Sequence, residues 1–167
     1  MADWTPDQQT KIISAYYRAR SALVSTGRLC KELNYQVVID LSSGVIDEVE
    51  SICREHPGVE RDTALIDLIA MIEIGDKNDP GGLIRQMCHD LYDECGIFAG
   101  SLATLYCLRG YARSSLYEEK VDKNLQTLAL LDIEKALSYP VVTYEKMGNE
   151  DIRPLMRHIQ VKLQRVR

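Results

Sequence analysis

The sequence lacks an apolar run long enough to cross a bilayer. Its charge-free stretch CGIFAGSLATLYCL (95–108) stands out in a chain that is 27% charged. It falls short of the roughly 20 apolar residues a helical span needs, and runs of about 10–14 are core helices instead. An excess of basic charge is also missing: a net charge of −5 argues against nucleic acid or an anionic membrane as the main partner. The five cysteines (Cys30, Cys53, Cys88, Cys95, Cys107) form no CxxC pair, and MADWTPDQQ has neither the basic start nor the apolar run of a secretory signal. Free thiols in a reducing compartment, cytosolic or nuclear, are expected. His56, His89 and His158 are not spaced with cysteines or carboxylates as metal ligands are, so no metal site is expected. GDKNDPGG lacks the lysine and the serine or threonine of a phosphate loop, and no cofactor is expected. Low-complexity segments and internal repeats are absent too.

What is present reads as helix. At 167 residues and 46% apolar, the chain is long enough for one domain with a real core. Thr5-Pro6-Asp7-Gln8 is a helix start with a capping box and proline at the first position. The stripe Ile12, Ile13, Tyr16, Ala19, Leu23 follows and ends near Gly27. YQVVIDL (35–41) reads as a short strand or as helix, but Val45, Val49 and Ile52 have helical spacing before the stop at His56-Pro57-Gly58. Asp62 caps a helix carrying Leu65, Leu68, Ile69 and Ile72 up to Gly75, and DKNDPGG is a turn. Ile84, Met87, Cys88, Leu91 and Cys95 then form one face of an amphipathic helix. A later helix from about Asp122 carries Leu125, Leu128, Ala129, Ile133, Ala136 and Leu137 until Pro140 stops it.

After a TYEKMG segment, Asn149 caps a last helix with Ile152, Leu155, Met156, Ile159 and Leu163. Asp151 in its first turn and Arg165 in its last suit the helix dipole, which also accounts for the cations of RHIQVKLQRVR. Seven or eight helices and no sheet are predicted. The helix beginning near Ile97 is apolar most of the way round and must be surrounded. The expected fold class is all-α, a globular bundle wrapped on a central helix.

Catalytic groupings are weak. Asp47, Glu48 and Glu50 look paired but lie on a predicted exposed face. Cys88 and His89 are adjacent, so they point to different sides of a helix. Arg153 and His158 match the permissive R-x4-H spacing of helical HEPN-type RNases, against a solvated helix face. Tyr106, Gly110, Ala129, Ile133, Ala136 and Pro140 are similar to a tetratricopeptide unit, a helical interaction scaffold. The loop between its helices is too long, and no second copy follows. No enzyme activity is expected.

Residues 90–108, DLYDECGIFAGSLATLYCL, resemble the first homology region of the Bcl-2 apoptosis-regulator family. There a helix ending ELFRDG leads through NWGR into an apolar central helix. Asp90-Leu91-Tyr92 stands at the ELF positions, Glu94 at an acid, and Phe98-Ala99-Gly100 at WGR. VDKNLQTLALLDI (121–133) is similar to the VDKEMQVL-type opening of the next helix in prosurvival members. The similarity covers roughly residues 82–140. The family's arginine is Gly100 here, its asparagine is Ile97, and its second homology region is reduced to Gly148-Asn149. The only tryptophan is Trp4. Val38, Leu41, Ser42 and Val45 keep BH3-like spacing without the Gly-Asp pair. Such erosion resembles virus-encoded relatives.

The resemblance implies a Bcl-2-like helical domain and a prosurvival function: a surface groove that captures the amphipathic BH3 helix of a proapoptotic protein such as Bim, Bak or Bax. By position, Met87, Asp90, Leu91, Glu94, Ile97, Gly100, Ala103 and Cys107 lie along that groove, with Leu68, Ile69 and Ile72 on its opposite wall. In the family the arginine at position 100 pairs with an aspartate of the ligand. A hydrogen bond to a charged group is worth roughly 1.5–3 kcal/mol, so its loss costs about tenfold to a hundredfold in affinity and implies a narrow ligand range. Many relatives end in an apolar anchor where this chain has VKLQRVR. The implied location is the cytoplasm, or the mitochondrial surface through partners.

Overall fold

Eight α-helices follow one another among the residues that the computed structural model describes, 3–146 and 152–165, and no strand occurs among them. The first, α1 (Pro6–Lys31), begins as TPDQ predicts. The Gln8 N–H donates to the Thr5 hydroxyl at 3.2 Å and the Thr5 N–H to the Gln8 side chain at 3.0 Å. The helix does not end near Gly27. An interior glycine costs only about 1 kcal/mol against alanine, and beyond it Leu29 and Cys30 pack on an apolar cluster with Tyr35, Val38 and Leu116. That packing carries the helix past Gly27, to a reversal at Leu33 with φ 63°.

YQVVIDL belongs to α2 (Tyr35–Glu55), in which Tyr35, Val38, Ile39, Ser42, Val45, Ile46, Val49 and Ile52 are buried at unbroken three-four spacing. A 3-10 turn at Val59–Arg61 leads to α3 (Thr63–Ile74), capped by the Asp62 carboxylate accepting from the Leu65 N–H at 3.1 Å. In α4 (Leu83–Cys95), the N–H groups of Ile84 and Arg85 are taken up by Asp79 at 2.8 and 3.3 Å. Then come α5 (Ala99–Lys120), α6 (Lys123–Leu137), α7 (Val141–Lys146) and α8 (Arg153–Arg165). The short α7 stands where the sequence predicts only a connecting segment: the buried Tyr144 hydroxyl donates to the Ala136 carbonyl at 2.6 Å and draws this turn onto α6. Gly148, Asn149 and Asp151, the residues of the reduced homology region and of the predicted cap and first turn, lie outside the described residues.

The central helix is α5. Helices α1, α2, α6, α7 and α8 all touch it, and from Ala99 to Cys107 only Thr104 is not buried. Helix α6 folds back on α5 through a short link in which Val121 has φ 53°. The two helices approach closely at Gly110, where a Cβ atom would sit 3.0 Å from Ile133 Cγ1. Among the described residues, no helix is long and apolar enough to cross a membrane.

One buried carboxylate ties three helices. Asp132 of α6 accepts from Arg109 at 2.8 Å and from Arg113 at 2.7 Å, both on α5. Arg109 also donates to the Ser43 hydroxyl of α2 at 3.1 Å. Nearby, Tyr106 donates to Glu50, which is half-buried rather than on an exposed face, and Glu48 pairs with Arg18 of α1. Asp47 alone of that trio is exposed as predicted. A second clasp joins α3 to α4: Asp67 accepts from Arg85 at 3.0 Å through two nitrogens and meets His89 Nε2 at 2.7 Å.

Replacing Asp132 by alanine leaves two guanidinium groups without their carboxylate in the bundle interior. The expected loss is roughly 3–5 kcal/mol, read from urea denaturation. The clasp predicts a pH dependence. The hydrogen bond from His89, and then Arg85, hold the Asp67 carboxyl below its ordinary range. A depressed folded-state value adds stability above the unfolded value near 3.9 and loses it as pH falls through the lower folded value. Asp67→Asn is therefore expected to lower stability at pH 7, and its difference from the parent chain to shrink at pH 3. Urea midpoints at the two pH values measure this.

Candidate functional site

Tyr92 is the one residue of α4 that is buried. Its apolar stripe, predicted as an amphipathic face, is half-covered: Met87 is 61% exposed, whereas Ile84, Cys88, Leu91 and Cys95 are half-buried. Ile84, Met87, Cys88 and Leu91 form one wall of a solvent-open cleft of about 430 Å³. Tyr16 and Arg20 of α1 face them, and Glu73 at the end of α3 closes one side. Cys88 and His89 diverge as adjacent helical residues do: Cys88 enters the cleft and His89 the Asp67 clasp. Burial raises the Cys88 thiol above its ordinary value.

The cleft wall is braced by three side chains. The phenols of Tyr16 and Tyr92 hydrogen-bond to each other, their rings edge-to-face at 5.8 Å. Arg20 Nη1 donates to both oxygens, at 2.9 Å to Tyr16 and 3.2 Å to Tyr92. Partial burial disfavours the Arg20 charge, but the phenols that accept its N–H groups hold its pKa above the ordinary value. Burial, followed by the neighbouring Tyr16, raises the Tyr92 phenol. Among the described residues Arg20 has no carboxylate partner. Beneath this group lies a void of about 10 Å³, where Arg20, Leu91 and Tyr92 meet Ile97 and Gly100 at the start of the central helix.

The α4–α5 junction is held from the first 3-10 turn. The Ile97 N–H donates to the Glu60 carbonyl at 2.9 Å, and Arg61 donates to the Glu94 carbonyl at 3.1 Å. Gly96 has φ 87°, and a Cβ there would lie 2.9 Å from Glu60 Cβ, so only glycine fits. Burial raises the Glu60 carboxyl, against the lowering effects of Arg61 and the Phe98 N–H.

The predicted site residues do not share one groove. Met87, Asp90 and Leu91 line the cleft; Leu91 also borders the small void with Ile97 and Gly100. Ile97, Gly100, Ala103 and Cys107 are all buried, the last three on faces of α5 that its neighbours cover. Burial pushes the Cys107 thiol up to about 11, although its contact with the Tyr144 hydroxyl at 3.8 Å acts the other way. Exposed Glu94 borders a separate depression with Ala99 and Tyr139. On α3, Ile69 is buried in the core, while Leu68 and Ile72 border a shallow hollow against Ile13 of α1. The wall opposite α4 is thus α1, with Glu73 of α3 at one side. Tyr16, Arg20, Glu73, Ile84, Cys88 and Tyr92 are the cleft residues that the sequence does not assign to a groove.

The BH3-like segment faces inward, with Val38, Ser42 and Val45 buried in α2. On α8, His158 is exposed and Arg153 half-buried; five positions of a helix at 3.6 residues per turn set them about 140° apart, so they do not converge on one site. No group of three or more His, Cys, Asp or Glu among the described residues is placed to hold a metal. In comparisons with known proteins, no family model matches the chain, and neither a curated protein nor a solved structure is significantly similar to it.

Proposed function

We propose that this chain is a binding protein rather than an enzyme, an inhibitor of apoptosis that captures the BH3 helix of proapoptotic proteins in the cleft between α1 and α4. The observation that carries this reading is the half-covered stripe of α4 beside an open cleft. Ile84, Met87 and Leu91 stand at three-four spacing on the wall of an open cleft, and Met87 is 61% exposed. Apolar anchors of an amphipathic helix fit between such side chains, and burying each one is worth roughly 1.5–3 kcal/mol. The resemblance of residues 90–108 to the Bcl-2 family supplies the class of ligand, and its eroded motif fits a virus-encoded prosurvival relative.

The ligand range is narrow on this reading. Gly100 offers no cation, and the void it borders, about 10 Å³, has no room for a long side chain. Calorimetric titration against a panel of BH3 peptides, including those of Bim, Bak and Bax, is expected to find binding to a minority. Tight binding to most of the panel contradicts the narrow range, and binding to none removes the proposal. Met87→Glu places a charge on the wall without disturbing the core. It is expected to weaken any binding by tenfold or more, with an unchanged thermal midpoint.

A further inference from the structure

We infer that the cleft between α1 and α4 selects among amphipathic helices by charge, and takes those whose polar flanks carry lysine or arginine. The inference rests on the binding reading above and adds the chemistry of the ligand's polar face. Apolar anchors hold a helix in a cleft but do not choose between helices with equal anchors. Charges around the mouth make that choice.

The wall that α3 and α4 supply is strongly acidic. Between Glu60 and Glu94 the chain has nine acidic and three basic residues, a net charge of −6, where the whole chain carries −5. Of those three bases, Arg85 already belongs to Asp67. Two of the acids reach the cleft itself: Glu73 borders it from the end of α3 and Asp90 from α4, with Arg20 opposite. Both acids are exposed, within reach of a ligand's flanks. Glu73 accepts from the neutral Tyr17 hydroxyl at 3.0 Å, and Asp90 from the Gln86 amide at 2.8 Å. Those bonds orient the carboxylates without neutralising them.

Cys88 reports the field inside the cleft. After burial, Glu73 is the strongest influence raising its thiol, ahead of the lowering by Arg20, and Asp79 adds to the rise. At the half-buried centre of the α4 wall the acids therefore outweigh Arg20, whose guanidinium is held against the phenols of Tyr16 and Tyr92. A cationic flank gains from this field twice. Attraction at a distance speeds the encounter, and a lysine or arginine that faces Glu73 forms a charged hydrogen bond beside the apolar wall. A helix with acidic flanks meets the same field as repulsion.

The test uses fluorescence polarisation with two labelled model helices that share one leucine face and differ in a polar face of lysine or of glutamate. At low salt the lysine helix is expected to bind the parent chain at least about tenfold more tightly, and the gap to narrow as ionic strength rises. Glu73→Gln/Asp90→Asn is expected to shrink the gap several-fold. Glu32→Gln/Asp47→Asn changes the net charge equally at exposed positions outside the cleft, and is expected to keep the gap within about twofold of the parent value. Equal shrinkage in both double variants assigns the preference to net charge and overturns the inference. So does the absence of any gap, a preference for the glutamate helix, or binding of neither helix. A lysine preference that the cleft substitutions remove, beside a BH3 panel that does not bind, leaves the charge rule standing and removes the apoptosis reading alone. Should the cleft variant lose its fold, as judged by its thermal midpoint, Glu73→Gln replaces it, and an undiminished gap overturns the inference.

Discussion

A helical stretch without a polar face has to be enclosed, and the first half of α5 imposes that condition on the rest of the chain. Each neighbour contributes the stripe its sequence supplies: Ile12, Tyr16 and Ala19 from α1, Val45, Val49 and Ile52 from α2, Ala129, Ile133 and Ala136 from α6, Met156, Ile159 and Leu163 from α8. Enclosure brings its own demand, because polar groups within it must find partners. Asp132 meets that demand by drawing Arg109 and Arg113 of α5 onto α6, and Arg109 reaches on to Ser43 of α2. The same contacts that cover the central helix therefore also set the order and spacing of the helices around it.

The cleft follows from how the covering is shared. The start of α5 at Gly100 is bordered by Tyr16 of α1, by Thr143 of α7 and by Leu91 and Tyr92 of α4. Helix α4 is held further by Asp67 along α3 and by the Glu60 carbonyl at its junction with α5. Of its thirteen residues only Tyr92 is fully buried, and its apolar stripe is half-covered, with Met87 facing solvent. The cleft beside it is bordered by the charged side chains of Arg20, Glu73 and Asp90.

Much of this was legible in the sequence. Elements with a long apolar period, a cap and a glycine or proline stop were read correctly, as in α3 and α6, because those signals are local. The ambiguity of YQVVIDL arose from a β-branched run that suits a strand; its resolution depended on burial against α5, which is not a local property. Helix α7 went unread because tertiary contacts hold it: Thr143 and Tyr144 are buried against the bundle, and the Tyr144 hydroxyl bonds to α6. The site divides in the same way. The α4 stripe was visible as periodicity, but its opposite wall was assigned to Leu68, Ile69 and Ile72 of α3. Arg20 and Tyr92 are 72 positions apart, and nothing in an exposed arginine's neighbours announces that two phenols hold it.

Long, exposed side chains ordinarily swing among many rotamers, and ordering one at an interface costs about 0.5–1.5 kcal/mol. Arg20 is spared most of that swing in the unbound protein, since Tyr16 and Tyr92 already grip one end of its guanidinium. The cation of the cleft is thus held in place by two tyrosines from different helices, one on α1 and one on α4.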